Sequence, residues 1–153
     1  MSWSEAASDF DSDDGLRDIY ILNTAPEDWD KAYRFLIARY PHALRRNGVD
    51  EDPPPDVHRL LAEAQDAATL LALDVAGIQV NCHFFTAEEI ELDLDPREVV
   101  DEESFQAVTA LLLELGRLLG KRSILTYENS QDAVVLEYVP GDDEVRHRRP
   151  RFQ

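Results

Sequence analysis

Cysteine is almost missing from this chain of 153 residues: there is one, Cys82. A lone thiol forms no internal disulfide, which accords with a reducing compartment, and it excludes a zinc site built on paired cysteines. Glycine is scarce too, six in all, and no glycine-rich phosphate loop can be assembled from them. Basic residues are few, 15 Lys and Arg against 32 Asp and Glu, too few for a DNA or RNA surface. No apolar run approaches the roughly 18–20 residues that span a bilayer. The longest, "AVTALLLELGRLLG", is broken by Glu114 and Arg117. The opening "MSWSEAASDFDSDDG" has neither the basic nor the apolar region of a signal peptide, so a cytoplasmic location is expected. The four histidines, His42, His58, His83 and His147, are scattered. Cys82 and His83 are strand neighbours that should face opposite ways and chelate nothing together.

What is plentiful is negative charge, a net −17. Charge of this size repels nucleic acid and anionic membranes and steers basic partners inward; it also serves plain solubility. A hydrophobic content of 44% is enough for a globular core. The length fits one domain.

Along the chain, residues 1–17 read as an acidic, flexible N-terminal tail with isolated Trp3 and Phe10. "DIYILNT" reads as a strand buried on both faces. Thr24 and Glu27 fit a capping box for a helix that should stop at Tyr40, ahead of Pro41. Residues 42–56 read as a loop, with a turn at Asn47-Gly48, stiff prolines at 53–55, and Arg45 and Arg46 as a small basic spot. Asp56 should cap a short helix through Ala64. Three strands follow, "ATLLALDV", "IQVNCHFF" and "EIELDLD", with a turn at Ala76-Gly77; the competing reading continues the short helix through Leu73. Asp101 should cap the next helix and Gly120 end it. "SILTYE" and "AVVLEYV" make the last strands. A basic C-terminal tail fills 142–153, carrying Arg146, Arg148, Arg149 and Arg151. The expected fold is α+β: one domain over 18–141, a mostly antiparallel sheet of five to six strands with two main helices packed on one face.

Chemistry centres on "EEIELDLDPRE". On a strand, Glu89, Glu91, Asp93 and Asp95 share one side, and Ile90, Leu92 and Leu94 the other. A half-buried antiparallel strand with a wet face accounts for every one of these residues. Four like charges in a row are nevertheless mutually unfavourable unless something basic relieves them. Carboxylates also hold hard cations and serve in some hydrolases, which leaves open a small enzyme or divalent-metal domain using the row with His83. Cys82, on the apolar side, reads as core rather than nucleophile. Ser123 and Ser130 lack a nucleophile-elbow context.

The runs "EEIELDLDPREV" and "LGKRSILTYENS" resemble small acidic immunity proteins that accompany secreted bacterial toxins. That resemblance implies an inhibitor that plugs or adjoins a toxin's active site, and no site residue carries over from it. Together with the charge it gives the leading expectation: a non-catalytic binding protein, without cofactor or bound metal, that meets a basic toxin or nuclease domain. The expected contacts are Glu89, Glu91, Asp93 and Asp95, with Asp50, Glu51 and Asp52 from the loop. An accessory or chaperone-like subunit is a further alternative.

Overall fold

A computed structural model describes residues 1–11 and 15–148. Its centre is an antiparallel sheet of nine strands, and four α-helices accompany it. The strands are β1 (Arg17–Leu22), β2 (His42–Arg46), β3 (Val49–Glu51), β4 (Thr69–Val75), β5 (Ile78–Thr86), β6 (Glu89–Leu94), β7 (Ser123–Tyr127), β8 (Val134–Tyr138) and β9 (Arg146–His147). Their spatial order is β3-β2-β4-β5-β6-β1-β7-β8-β9. The helices are α1 (Trp3–Ala6), α2 (Pro26–Arg39), α3 (Val57–Ala62) and α4 (Glu102–Leu119). None of the helices is long and apolar enough to cross a membrane.

The α+β class and the antiparallel sheet are as expected, but there are nine strands rather than five or six and four helices rather than two. Two of the extra strands come from the segment expected to be a loop. Asn47 and Gly48 both have positive φ, 52° and 79°, the backbone that a two-residue hairpin turn requires. The flanking residues are charged, so no apolar alternation announces the hairpin. It is held by cross-strand pairs instead, Arg45 to Asp50 at 3.2 Å and Arg46 to Glu51 at 3.7 Å. The Ala76-Gly77 turn uses the same backbone, with φ of 52° and 88°, and joins β4 to β5 as expected. The short helix ends at Ala62 and does not run on to Leu73.

The N-terminal segment also departs from the tail expected of it. Trp3, Ala6 and Phe10 lie at helical spacing. Ala6 and Phe10 are buried, and the rings of Trp3, Phe10 and Phe105 meet with centroids 5.8–6.0 Å apart. Arg17 is buried beneath this segment, donating to the carbonyls of Asp9 and Asp11 and lying over the Tyr127 ring. At the other end Val145 is buried and β9 pairs with β8. Residues 149–153, the remainder of the expected basic tail, lie outside the described residues, as do 12–14.

Helix ends follow local chemistry. The N-cap of α2 is Ala25, not Thr24: its N–H donates to Asp28 at 2.8 Å, while Thr24 Oγ1 donates to the Ala87 carbonyl at 2.7 Å. Tyr40 is already extended, as Pro41 demands. Asp101 caps α4 through the Ser104 N–H at 2.9 Å, and Gly120 ends it in the left-handed region, φ 63°.

The four helices and one face of the sheet share a single core. It takes Ile19 and Ile21 from β1, Leu71 and Leu73 from β4, Val80, Cys82 and Phe84 from β5, and Ile90, Leu92 and Leu94 from β6. Trp29, Leu36, Leu60, Phe105, Leu111 and Leu115 oppose them from the helices. Strand alternation sends every second residue to the other face, on which no described helix packs.

Candidate functional site

That open face collects the polar chemistry. Directly opposed residues in an antiparallel sheet share a face, so strand register defines two rows across it. One passes through Ala43, Ala72, Asn81, Asp93, Asp18 and Thr126. The other crosses all nine strands, through Asp50, Arg45, Leu70, His83, Glu91, Tyr20, Ile124, Glu137 and Arg146.

Glu89, Glu91 and Asp93 therefore lie together as expected, each half-buried on β6. Asp95 does not join them. It lies just past β6, accepts from the Arg97 N–H at 2.9 Å, and is gripped by the Arg97 guanidinium at 2.6–3.0 Å. These bonds hold its carboxyl below the usual range. Asp50 shares the face but sits on the edge strand and pairs with Arg45. Glu51 opposes Leu44, which places it on the helix side, and it reaches Arg46. Asp52 is exposed beyond β3.

At the centre, the His83 ring nitrogen Nε2 is 2.6 Å from Asp93 Oδ2, and Asn81 donates to the other carboxylate oxygen at 3.1 Å. The Tyr20 hydroxyl donates to Asp18 at 3.0 Å, and the Asn129 N–H donates to the same oxygen at 2.8 Å. Glu91 also lies against Tyr20. Burial raises the Asp18 carboxyl despite those two bonds, and the charges of Asp93 and Glu128 push it further. Burial raises Glu91 as well, with Asp18 and Glu89 adding to the effect. Burial and then the Asp18 charge push the Tyr20 phenol far up, which keeps it a donor. For His83 burial opposes the charged ring, but the Asp93 hydrogen bond and the Asp93, Glu91 and Asp18 charges prevail and raise it.

Among the described residues no salt bridge joins Glu89, Glu91, Asp93 or Asp18 to a lysine or arginine. Some acids elsewhere are treated differently. Glu137 is held by Arg122 and by Arg148 at 3.5 Å, and Asp30 by Arg34 at 3.0 Å.

Asp18, Tyr20, Asn81 and Glu137 were not among the residues expected at the site. For Asp18 and Tyr20 the signal was present in "RDIYIL", where they alternate with Ile19 and Ile21. The near-continuous apolar character of that stretch concealed which side each residue faces.

Cys82 faces the core, where burial pushes its thiol up. Ser123 is also on the helix side, donating to the Leu112 carbonyl at 2.8 Å. Among the described residues no three His, Cys, Asp or Glu side chains are arranged to hold a metal ion. Comparison of the chain with protein-family models, with curated proteins and with solved structures finds no match.

Proposed function

We propose that the chain is a non-catalytic binding protein whose open sheet face receives a basic protein. The form suggested by the sequence resemblance is an immunity-type inhibitor of a basic toxin or nuclease domain. One observation carries the reading: Glu91, Asp93 and Asp18 are held close together, partly or fully buried, on a face no described helix covers, without a lysine or arginine partner among the described residues. Like charges held this way repel one another, and a cationic surface laid across them removes that cost on binding. Asp50 belongs to the same face at its edge, but like Asp95 and Glu51 it is already engaged by an arginine, and these three contribute least.

The test is a pull-down from the native cell eluted with a salt gradient, comparing wild type with the triple variant Glu89→Lys, Glu91→Lys, Asp93→Lys. The expected result is one basic protein released by salt from wild type and not retained by the variant. Equal retention by both would remove the face from the interface. Assaying the captured protein with and without the chain then separates an inhibitor from an accessory subunit.

A further inference from the structure

We propose that a hollow beside the acid row is the anchor point of this interface, taking one apolar side chain of the partner that is flanked by an arginine or lysine lying on Glu91 and Asp93. The inference rests on the reading of the open face as a surface for a basic protein, and it specifies the partner's chemistry.

The hollow has a volume of about 380 Å³ and opens between β2, β4, β5 and the segment that leads into β4. Ala64, Ala67, Leu70 and Phe85 supply apolar walls, and the charge on its rim, Arg45, is paired with Asp50. Phe85 is 61% exposed although it lies within a long strand. A single exposed apolar side chain needs no explanation by itself. Phe85 differs in being fixed: its ring stacks on His83 with centroids 5.0 Å apart and planes 5° from parallel. His83 is fixed in turn by Asp93 at 2.6 Å. Hollow and acids are therefore continuous through one imidazole. Neighbouring strands lie ~4.8 Å apart, which puts the hollow about 10 Å from Glu91, close to the ~9 Å of one three-residue polyproline II turn. A rigid aromatic wall beside carboxylates that no lysine or arginine engages among the described residues suits a short segment in the polyproline II conformation, whose three-residue turn puts a cation and an apolar side chain three residues apart on one face. Interfaces concentrate affinity at such anchors and take orientation from the surrounding charge.

The test uses two synthetic peptides of equal positive charge. One spaces its arginines with glycine; in the other, tryptophan replaces the glycine three residues from an arginine. Binding to the full chain is followed by amide chemical shifts. The tryptophan peptide is expected to bind wild type at least tenfold more tightly, with shifts at Ala67, Leu70 and Phe85. Phe85→Ala is expected to abolish that advantage, leaving the glycine peptide unaffected and the melting temperature unchanged. Equal binding of the two peptides to wild type, or an advantage that survives Phe85→Ala, overturns the anchor while the acidic face stands. Failure of both peptides to bind overturns the reading of the face and the anchor with it.

Discussion

Replacing Glu91 with glutamine should make the protein more stable at neutral pH, and the reason is specific to its place. Glu91 is half-buried, its carboxyl is raised by burial and by Asp18 and Glu89, and the Tyr20 hydrogen bond and His83 provide only partial relief. Asp18 is a diagonal neighbour of Glu91 and Glu89 stands two residues along the same strand, each roughly 7 Å away. At an effective dielectric near 40, two unit charges at that distance cost about 1 kcal/mol. Relief of the burial cost and of two such repulsions, less the weakened Tyr20 hydrogen bond and the lost attraction to His83, leaves a net gain of about 1 kcal/mol for Glu91→Gln. In a chain of this size that gain raises the melting temperature by about 2–4 °C. The sign follows from linkage: a carboxyl raised in the folded state costs stability once pH exceeds its folded value, and the cost vanishes below its ordinary value of 4.5. The variant's advantage should therefore be full at pH 7.5 and shrink towards nothing near pH 4. Paired thermal melts of wild type and variant at both values measure it. No gain at pH 7.5 would show that water or His83 already screens Glu91. A gain that persists at pH 4 would show that shape rather than charge was being measured.

Two further outcomes test the fold that presents the face. A Cβ built on Gly116 would lie 2.1 Å from Tyr138 Cδ1 and 3.1 Å from the Lys121 carbonyl, and Tyr138 is buried. Overpacking of this kind costs about 1–3 kcal/mol and outweighs the ~1 kcal/mol helix preference of alanine, so Gly116→Ala should lower the urea midpoint, and an unchanged midpoint would contradict the contact. Phe10→Ala removes a buried ring from the Phe105 contact and should cost about 3–5 kcal/mol. Hydrogen exchange should then quicken around Ala6 and Arg17, whereas wild-type stability and exchange would restore the N-terminal segment to a tail.

Legibility in the sequence followed the physics of each segment. β6 was plain because its alternation is perfect and one side of it is core. The end of α2 at Pro41 and both ends of α4 were plain because a proline, an aspartate and a glycine act over only a few residues. β2 and β3 were hidden because their pairing rests on Arg45, Arg46, Asp50 and Glu51, whose charges read as loop; the Asn47-Gly48 turn was the available clue. α1 was hidden because three apolar residues in an acidic stretch look isolated until Phe105 supplies the surface they pack on. The candidate site was half legible. Glu89, Glu91 and Asp93 follow from β6 alone, whereas Asp18, Tyr20 and Asn81 join them only through strand order, which no local pattern encodes. Asp95 was misplaced because alternation alone does not show where a strand ends, and Arg97 takes its carboxylate.

Solubility and binding make different demands on where acids are placed. With 32 acids and 15 bases many carboxylates lack an arginine or lysine of their own, so the lack of a cation is not in itself informative. Exposed acids such as Asp52, Glu103 and Asp132 carry negative charge at almost no cost, because water and salt screen them. Asp18 and Glu91 are placed where burial raises their carboxyls, and the fold bears that cost at every pH where they are ionised. A sequence shaped for solubility alone gains nothing by putting charge in the middle of a packed row. A partner that brings cations to the row removes the cost on binding, which joins the expected gain from Glu91→Gln to the expected loss of capture by the lysine variant. Stability and binding should therefore move in opposite directions at Glu91, the pattern expected of a residue kept for what it contacts rather than for what it holds together.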